Sequence, residues 1–295
     1  MDLGRPEEAV AAQKTAIELK PIFQTAHARL QEALRAQGRL TDAVTFYAKA
    51  VDGRPDSTTL RINYAKVLAE TGRVDQAIFQ LRKSIEVSDD NLDARLALGR
   101  LLANRDTIEA VAQLQAAIEM APQRHEPHVE LGDALLKAGR LQEAGEHYEE
   151  VIRLKPHMAG AHFMRGFVSD ESGKNEEAMR YYEKALSLDP DLANAHHRFG
   201  DLLARQGQFD VAAVHFTEWV RLEPNLPQPR HKLALVLSQL GQPAAAIEQL
   251  REIVRLKPNR FESHYNLGTL LFTQDRIDEA FGEWSSAAQL RPHHA

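Results

Sequence analysis

The chain has 295 residues, with 36 Lys and Arg against 42 Asp and Glu, 43% hydrophobic residues and no cysteine. This apolar content and the net charge of only -6 exclude a disordered chain, and the lack of a basic excess excludes nucleic acid as the main partner. Without cysteine there is no disulfide framework, iron–sulfur cluster or thiolate zinc site. Because no apolar run approaches the roughly 20 residues of a membrane span, and residues 1–10 are acidic, we expect a cytoplasmic protein without membrane insertion.

A repeat of about 34 residues runs along the chain. Alanines recur in one register, at Ala9, Ala43, Ala77, Ala110, Ala144, Ala178, Ala212, Ala246 and Ala280. Twelve residues after each alanine stands a proline, except at Asp89, and five residues before most of them stands a glycine. Each unit is therefore predicted to read helix, glycine turn, helix and proline stop.

The repeat predicts the elements in chain order. Residues 1–23 are the second helix of a truncated repeat, and eight units follow in one continuous array, at 24–57, 58–91, 92–124, 125–158, 159–192, 193–226, 227–260 and 261–295. Apolar residues such as Leu131 and Leu135 recur at helical spacing. Small residues, such as Gly200 in a first helix and Ala212 in the following second helix, predict a close crossing of two antiparallel helices.

Two units depart from the pattern. The third is one residue short at 104–107 and follows the junction without proline at 88–91, so we expect a local change of pitch there. The fifth has Arg165 and Ser169 at positions that normally face the core, and Asn175 where a large apolar residue usually begins the second helix. We expect this unit either to pack less well than its neighbours or to be used for binding.

The repeat matches a known family pattern site by site. One such unit has residues 196–203 in its first helix, followed by Ala212, Phe216 and Pro224. The chain thus resembles a tetratricopeptide repeat array. This resemblance implies an all-α, right-handed superhelical solenoid of antiparallel helix pairs. It also implies a non-catalytic scaffold that binds a peptide segment or a partner domain in a concave groove lined by the first helices.

The resemblance also assigns candidate groove residues. Near the N-terminal end they form a basic and amide set suited to a carboxylate or an acidic peptide: Arg29, Arg35, Asn63, Lys66, Arg100 and Asn104. In the fourth unit they are acidic, at Glu126, Glu130 and Asp133, so a groove that is basic and then acidic is predicted. An aromatic track follows, with Phe163, Phe167, His197, His231, Tyr265 and Phe272. The alternative is a rotated first helix in the fifth unit, with both phenylalanines buried and Arg165 in water.

Histidines recur at one repeat position, at His27, His128, His162, His196 and His264. Equivalent helices of successive units have another helix between them, so these rings are too far apart to share a zinc ion. We expect half-buried rings that pack on the preceding unit. The sequence holds no GxxxxGK[ST] loop, GxGxxG unit or GxSxG elbow, so no cofactor, metal site or catalytic residue is predicted and these residues alone are not expected to be an enzyme.

Two other functions stay open. Units reading Ala-His-x-x-x-Gly resemble the repeat regions of O-linked N-acetylglucosamine transferases, which present substrates to a separate catalytic domain. Those arrays carry a groove ladder of asparagines, and only Asn63 and Asn266 occupy the corresponding sites here. The other function is scaffolding in assembly or secretion machinery.

The two ends of the sequence suggest a fragment. The chain begins inside a second helix and stops soon after another, so we expect a longer parent protein. At the C-terminal end Phe281, Trp284 and Ala288 have no following unit to cover them, which predicts self-association through this end.

Overall fold

The computed structural model describes residues 6–291. In this range the chain forms seventeen α-helices and no strand, which confirms the all-α prediction for the described residues. No helix in the range is long and apolar enough to cross a membrane. The helices are α1 (Pro6–Leu19), α2 (Gln24–Ala36), α3 (Leu40–Gly53), α4 (Thr58–Glu70), α5 (Val74–Val87), α6 (Leu92–Leu102), α7 (Thr107–Met120), α8 (His125–Lys137), α9 (Leu141–Leu154), α10 (Ala159–Glu171), α11 (Asn175–Leu188), α12 (Ala193–Arg205), α13 (Phe209–Leu222), α14 (Pro227–Gln239), α15 (Pro243–Leu256), α16 (Phe261–Thr273) and α17 (Ile277–Leu290).

The packing of the helices divides the chain after Pro156 into two compact units, an N-terminal unit with α1–α9 and a C-terminal unit with α10–α17. Within each unit, an even-numbered helix and the odd-numbered helix after it form a pair, which we call the first and the second helix. First helices of successive pairs also touch, as α4 and α6, α6 and α8, and α10 and α12 do. The division of the chain into the eight repeat ranges given above stays a prediction.

The two helices of a pair cross closely where a small residue of the first helix contacts a large side chain of the second. A Cβ atom added to Gly200 of α12 would lie 2.7 Å from Cε1 of Phe216 in α13, closer than real Cβ atoms approach. The same holds for Gly166 of α10, whose Cβ would lie 2.9 Å from Cδ1 of Tyr182 in α11. Both aromatic rings are buried. Glycine is therefore required at these crossings because the aromatic ring lies directly on the backbone of the first helix.

Glycine also makes most of the turns between the two helices of a pair. Gly207, which joins α12 to α13, has a φ of 75°, in the left-handed region that side chains disfavour. In the last pair Asp275 takes this conformation with a φ of 59°. The pair α6 and α7 has no such glycine, and there Asp106 accepts a hydrogen bond from the backbone N–H of Glu109 (3.0 Å) at the start of α7.

The polar residues of α10 are packed against their own second helix. The side chain of Arg165 is only 13% exposed and forms a 2.7 Å ion pair with Glu177 of α11. Its guanidinium group also hydrogen-bonds to buried Ser169 and lies 5.0 Å from the ring centre of Tyr181. Because Arg165 is neutralised inside the pair, α10 has not rotated to leave this residue in water.

One position on the first helices carries a polar side chain that bonds to the second helix, and we call it the bridging position. Its bonds are His27–Tyr47, Arg61–Gln80, Arg95–Gln113, His128–His147, His196–His215, Arg230–Gln249 and His264–Glu283, at 2.6 to 3.1 Å.

The side chains at the bridging position also form a hydrogen bond to the backbone of the preceding turn. The Nε2 atoms of its histidines lie 2.7 to 2.9 Å from the backbone carbonyl oxygen six residues earlier, in the pairs His27–Pro21, His196–Pro190 and His264–Pro258. Arg61 and Arg95 bond in the same way to the carbonyls of Pro55 and Asp89. This carbonyl belongs to the turn that enters the first helix, so the side chain ties successive helix pairs together.

We predict that Gly200→Ala destabilises the protein by about 1 to 3 kcal/mol, because the added methyl group overpacks the contact with Phe216. The matched control is Gly160→Ala in the neighbouring first helix α10, where an added Cβ meets nothing within 4 Å. This control should leave the stability unchanged or raise it by up to about 1 kcal/mol, as alanine favours helix. Urea unfolding of the three proteins measures both effects, and equal loss in the two variants would contradict the crossing argument.

Candidate binding surface

The outward side chains of the first helices form the candidate surface, which in the N-terminal unit begins with cations on α2 and α4. Arg29 and Lys66 are exposed and form no ion pair within residues 6–291. Arg35 is exposed as well, but it bonds to Glu70 of the next first helix (Nη2–Oε2 2.7 Å). Of the predicted cations, Arg29 and Lys66 are therefore the accessible ones that have no ion-pair partner in the part of the chain that the structure describes.

The amide residues of this predicted set differ in accessibility. Asn63 is buried, and its amide donates to the carbonyl of Thr59 (2.9 Å) and accepts from Gln31 of α2 (3.3 Å). Asn104 is exposed in the turn after α6. Asn63 thus stabilises the contact between α2 and α4, and Asn104 is the predicted amide that a ligand can reach.

The predicted basic and acidic parts of the surface meet in one ion pair. Arg100 of α6 bonds to Glu130 of α8, so each neutralises the other. Glu126 is paired with Arg124 at 2.9 Å, and this hydrogen bond is the main cause that lowers the pKa of Glu126 to about 2. The charges are therefore partly neutralised where the predicted basic part of the surface meets the predicted acidic part.

Asp133, the third acidic residue of the set, is half-buried. Its carboxylate accepts a 2.5 Å hydrogen bond from the hydroxyl of Tyr148, a buried residue of α9. Burial raises the pKa of Asp133, although this hydrogen bond acts in the opposite direction. Asp133 thus links the surface to the core.

In the C-terminal unit, Phe163 and Phe167 of α10 are half-buried. The ring of Phe163 packs 6.0 Å from that of Tyr182 at the edge of the core. The ring of Phe167 lies under the guanidinium group of Arg198 from α12, at 4.4 Å, a cation–π contact between successive first helices. Phe163 therefore supports the pair α10 and α11, whereas the face of the Phe167 ring is covered by the arginine of the next first helix.

His197 of α12 lies on Trp219 of α13, with ring centres 4.0 Å apart and an angle of 17° between the planes. Its Nε2 atom is 3.3 Å from Asp201, which also bonds to Lys232 of α14 at 2.8 Å. Burial raises the pKa of Asp201, but the hydrogen bonds from His197 and Lys232 outweigh it and hold the pKa below its usual value. This network was missed by sequence reasoning, because Trp219 belongs to a second helix.

Tyr265 and Phe272 of α16 are the most accessible aromatic residues of the predicted track, at 50% and 52% exposed. Tyr265 stacks on Phe261 (5.7 Å between ring centres), and Phe272 lies 5.4 Å from Trp284 of α17. His231 of α14 is half-buried, and burial lowers its pKa. Exposed apolar rings held by a second aromatic residue form a preorganised contact for an apolar side chain.

At the last pair, Phe281 of α17 is 71% exposed and stands beside exposed Ile277. Trp284 is only partly exposed, because its indole ring packs on Gly268 and Phe272. Of the predicted terminal patch, Phe281 is therefore the residue that is open to solvent.

Within residues 6–291, no group of three or more His, Asp or Glu side chains is placed to hold a metal ion. The contacts described above are ion pairs between successive first helices and aromatic packing. Such a surface is suited to binding another chain through charge and apolar contact.

Comparison with solved structures gives the same fold. YrrB, described as a TPR protein with an unusual peptide-binding site, matches 61% of this chain and 93% of its own at 22% identity and a TM-score of 0.54. PilF of Pseudomonas aeruginosa matches 72% of this chain and 96% of its own, with 20% identity and a TM-score of 0.60. The Cut9–Hcn1 structure from the APC/C matches 89% of this chain and 52% of its own at 17% identity, with a TM-score of 0.60. At these identities the likeness shows the fold alone.

Among proteins of curated function, no sequence relative is found. Family models match along the chain: a tetratricopeptide repeat model at residues 1–58, 100–159 and 231–295, a second one at 34–101, and a TPR repeat model at 171–207. The first model alone matches more than half of the residues. The chain therefore belongs to the tetratricopeptide repeat family.

Proposed function

We propose that this chain is a non-catalytic scaffold that binds a peptide segment or an extended part of a partner protein along its first helices. Proteins of this family are typically protein-interaction scaffolds. The observation that carries the proposal is the aromatic track of the C-terminal unit, where Phe167, Tyr265 and Phe272 face outward on first helices and are each held by a neighbouring side chain. Aromatic anchors of this kind supply most of the binding energy in peptide recognition.

The N-terminal unit supports a second, electrostatic contribution. Arg29 and Lys66 lie on adjacent first helices without an ion-pair partner among the described residues. A carboxylate or an acidic side chain of the ligand would bind there through charge-assisted hydrogen bonds. The ligand that fits both features is a segment with acidic and aromatic or aliphatic residues.

The two other hypotheses have less support. A substrate-presenting region of an enzyme similar to O-linked N-acetylglucosamine transferases would need an asparagine ladder, and Asn63, one of its two candidates, is buried in bonds to Thr59 and Gln31. For assembly or secretion scaffolding, the likeness to PilF and to Cut9–Hcn1 supports only the fold.

We predict that Phe163→Ala with Phe167→Ala weakens binding of peptides selected from a random phage-displayed library. Hot-spot truncations cost roughly 2 kcal/mol or more each, and every 1.4 kcal/mol is a factor of ten, so the affinity should fall by about a thousandfold. The control is Val214→Ala, an exposed apolar residue on the second helix α13. Fluorescence anisotropy with one selected peptide measures affinity, and circular dichroism measures the folded fraction.

Two results would contradict this prediction. One is a selected peptide whose affinity depends on Val214 and not on the phenylalanines. The other is a double variant that unfolds while its affinity per folded molecule is unchanged, which would make Phe163 and Phe167 core residues only. Tyr265→Ala with Phe272→Ala provides a second variant of the same track, at residues that contribute less to the core because half of each side chain is exposed.

We also propose that the chain self-associates through α17. Phe281 is 71% exposed beside Ile277, and apolar side chains grouped on one helix face favour association. We predict that the sedimentation coefficient rises with protein concentration and that Phe281→Glu abolishes this rise. Ile108→Glu, at an exposed residue at the start of α7, is the control and should leave association unchanged. A chain that stays monomeric at every concentration would refute the proposal.

A further inference from the structure

Two helix pairs carry a histidine at both ends of the bridging bond, and we call these the histidine pairs. In the N-terminal unit, Nδ1 of His128 in α8 lies 3.1 Å from Nδ1 of His147 in α9. In the C-terminal unit, Nδ1 of His196 in α12 lies 3.0 Å from Nδ1 of His215 in α13. Each distance is that of a hydrogen bond between two nitrogens that face each other.

A hydrogen bond between two imidazole nitrogens holds one proton. One Nδ1 atom carries the hydrogen and donates it, and the other offers its lone pair. In the C-terminal pair a second contact assigns these roles. Nε2 of His196 lies 2.9 Å from the carbonyl oxygen of Pro190, which can only accept, so Nε2 carries the hydrogen of this neutral ring. Nδ1 of His196 is then the acceptor, and Nδ1–H of His215 is the donor.

Acid can add one proton to such a pair without breaking the bond, but not two. A proton on Nε2 of His215 leaves its Nδ1–H in place. A further proton must go to Nδ1 of His196, because the other nitrogen of that ring already carries a hydrogen. Two N–H groups and two positive charges would then face each other at 3.0 Å in a partly buried place, where like charges repel strongly. Two added protons on one pair are therefore incompatible with the packed helices.

Burial opposes the uptake of protons by the histidine pairs. It lowers the pKa of His215 to about 4, and the charge of His196 acts in the same direction. Burial also lowers the pKa values of His128 and His147. In the unfolded chain the histidines have their ordinary pKa, near 6.5. Below about pH 6.5 the unfolded chain thus binds more protons at these positions than the folded chain, so the stability of the folded pairs falls as the pH is lowered.

The charges around the C-terminal pair reduce this effect without cancelling it. Glu218 of α13 raises the pKa of His215, but burial is the larger cause. This carboxylate is itself bonded to Arg221 at 2.7 Å, and Arg221 also bonds to Asp191 in the turn before α12 at 2.5 Å. Among the described residues, the neighbouring helices α11 and α14 add no charge that shifts the pKa of His215.

The same balance holds around the N-terminal pair. Apart from the rings themselves, the described charges that act on this pair lie on α9, and none comes from the neighbouring helices α6 and α7. Burial is again the largest cause for both rings. Carboxylates raise their pKa values and one arginine lowers that of His128, namely Glu143, Glu146, Glu150 and Arg153.

We propose that the histidine pairs make the stack of helices acid-sensitive at two places, α8–α9 and α12–α13. Each pair holds a single proton between its facing Nδ1 atoms, and full protonation of both rings separates the two helices. The bonds Arg61–Gln80 and Arg95–Gln113 at the same position contain no group that titrates near neutral pH. Because each pair of an array contacts only its neighbours, one pair opens while distant pairs stay packed.

The last helix pair has the opposite arrangement at the bridging position. Nδ1 of His264 lies 2.6 Å from a carboxylate oxygen of Glu283, and Nε2 lies 2.9 Å from the carbonyl oxygen of Pro258. Both nitrogens face acceptors, so a ring with two N–H groups satisfies both bonds. A glutamate in place of the second histidine therefore gives a bridging bond that protonation of the ring does not break.

The test is hydrogen exchange of the backbone amides of the full chain at pH 7.5 and pH 5.0, corrected for the intrinsic effect of pH on exchange. One extra proton bound on opening, with a pKa near 6.5, raises the equilibrium constant for opening by about thirtyfold at pH 5.0. We expect this rise in α8–α9 and α12–α13. The control is α4–α5, which contains no histidine and should show a much smaller rise.

Two variants replace the C-terminal histidine pair by a bond that the chain uses elsewhere. His196→Arg with His215→Gln copies the Arg–Gln bond of α4–α5, and His215→Glu alone copies the His–Glu bond of α16–α17. Either variant should remove the acid response of α12–α13 and leave that of α8–α9 unchanged. An equal rise in α4–α5, or a rise in α12–α13 that persists in a folded variant, would overturn the proposal.

If neither variant folds, nitrogen-15 spectra of the imidazoles in the unsubstituted chain decide. While α8–α9 and α12–α13 stay protected from exchange, we expect at most one charged ring in each histidine pair. Two charged rings in a pair whose helices remain protected would contradict the proposal.

Discussion

The close crossing of the two helices in each pair is the constraint on which the rest of the structure depends. Where Gly200 meets Phe216, the ring lies on the backbone of the first helix, and a single added carbon atom would collide with it. This contact fixes the distance and rotation of the first helix relative to the second. The rotation in turn decides which residues of the first helix face outward, so the candidate surface is a consequence of core packing.

The fold could be predicted from the sequence because it depends on the spacing of residues within each repeat. The helices and the turns between them follow from a period of about 34 residues and from the glycine and proline positions. The direction of Arg165 toward the core was also predictable. Its compensation was not, because Glu177 belongs to α11 and only the packed pair brings the two charges to 2.7 Å.

The candidate surface was less predictable for a physical reason. Residues assigned from one helix at a time acquire partners from the next first helix, about one repeat away in sequence. Arg100 and Glu130, which were predicted to belong to parts of opposite charge, bond to each other, and Asn63 is covered by Gln31. A repeat pattern gives the position of each residue on its helix. Whether the side chain is free to bind a ligand or bonds to a neighbouring repeat depends on its length and on the packing around it.

At the bridging position, side chains of different chemistry make the same connection between helices. An Arg–Gln bond at Arg61, a His–Glu bond at His264 and a His–His bond at His196 join the two helices in the same way, at 2.6 to 3.0 Å. Each also bonds to the carbonyl of the preceding turn, so the backbone is held alike whichever side chain is present. Because this connecting role accepts several residue types, the charge and the hydrogen-bonding groups at this position differ between repeats while the helices pack in the same way. A chemically distinct site can thus arise at one repeat of the array while the first-helix surface stays in place.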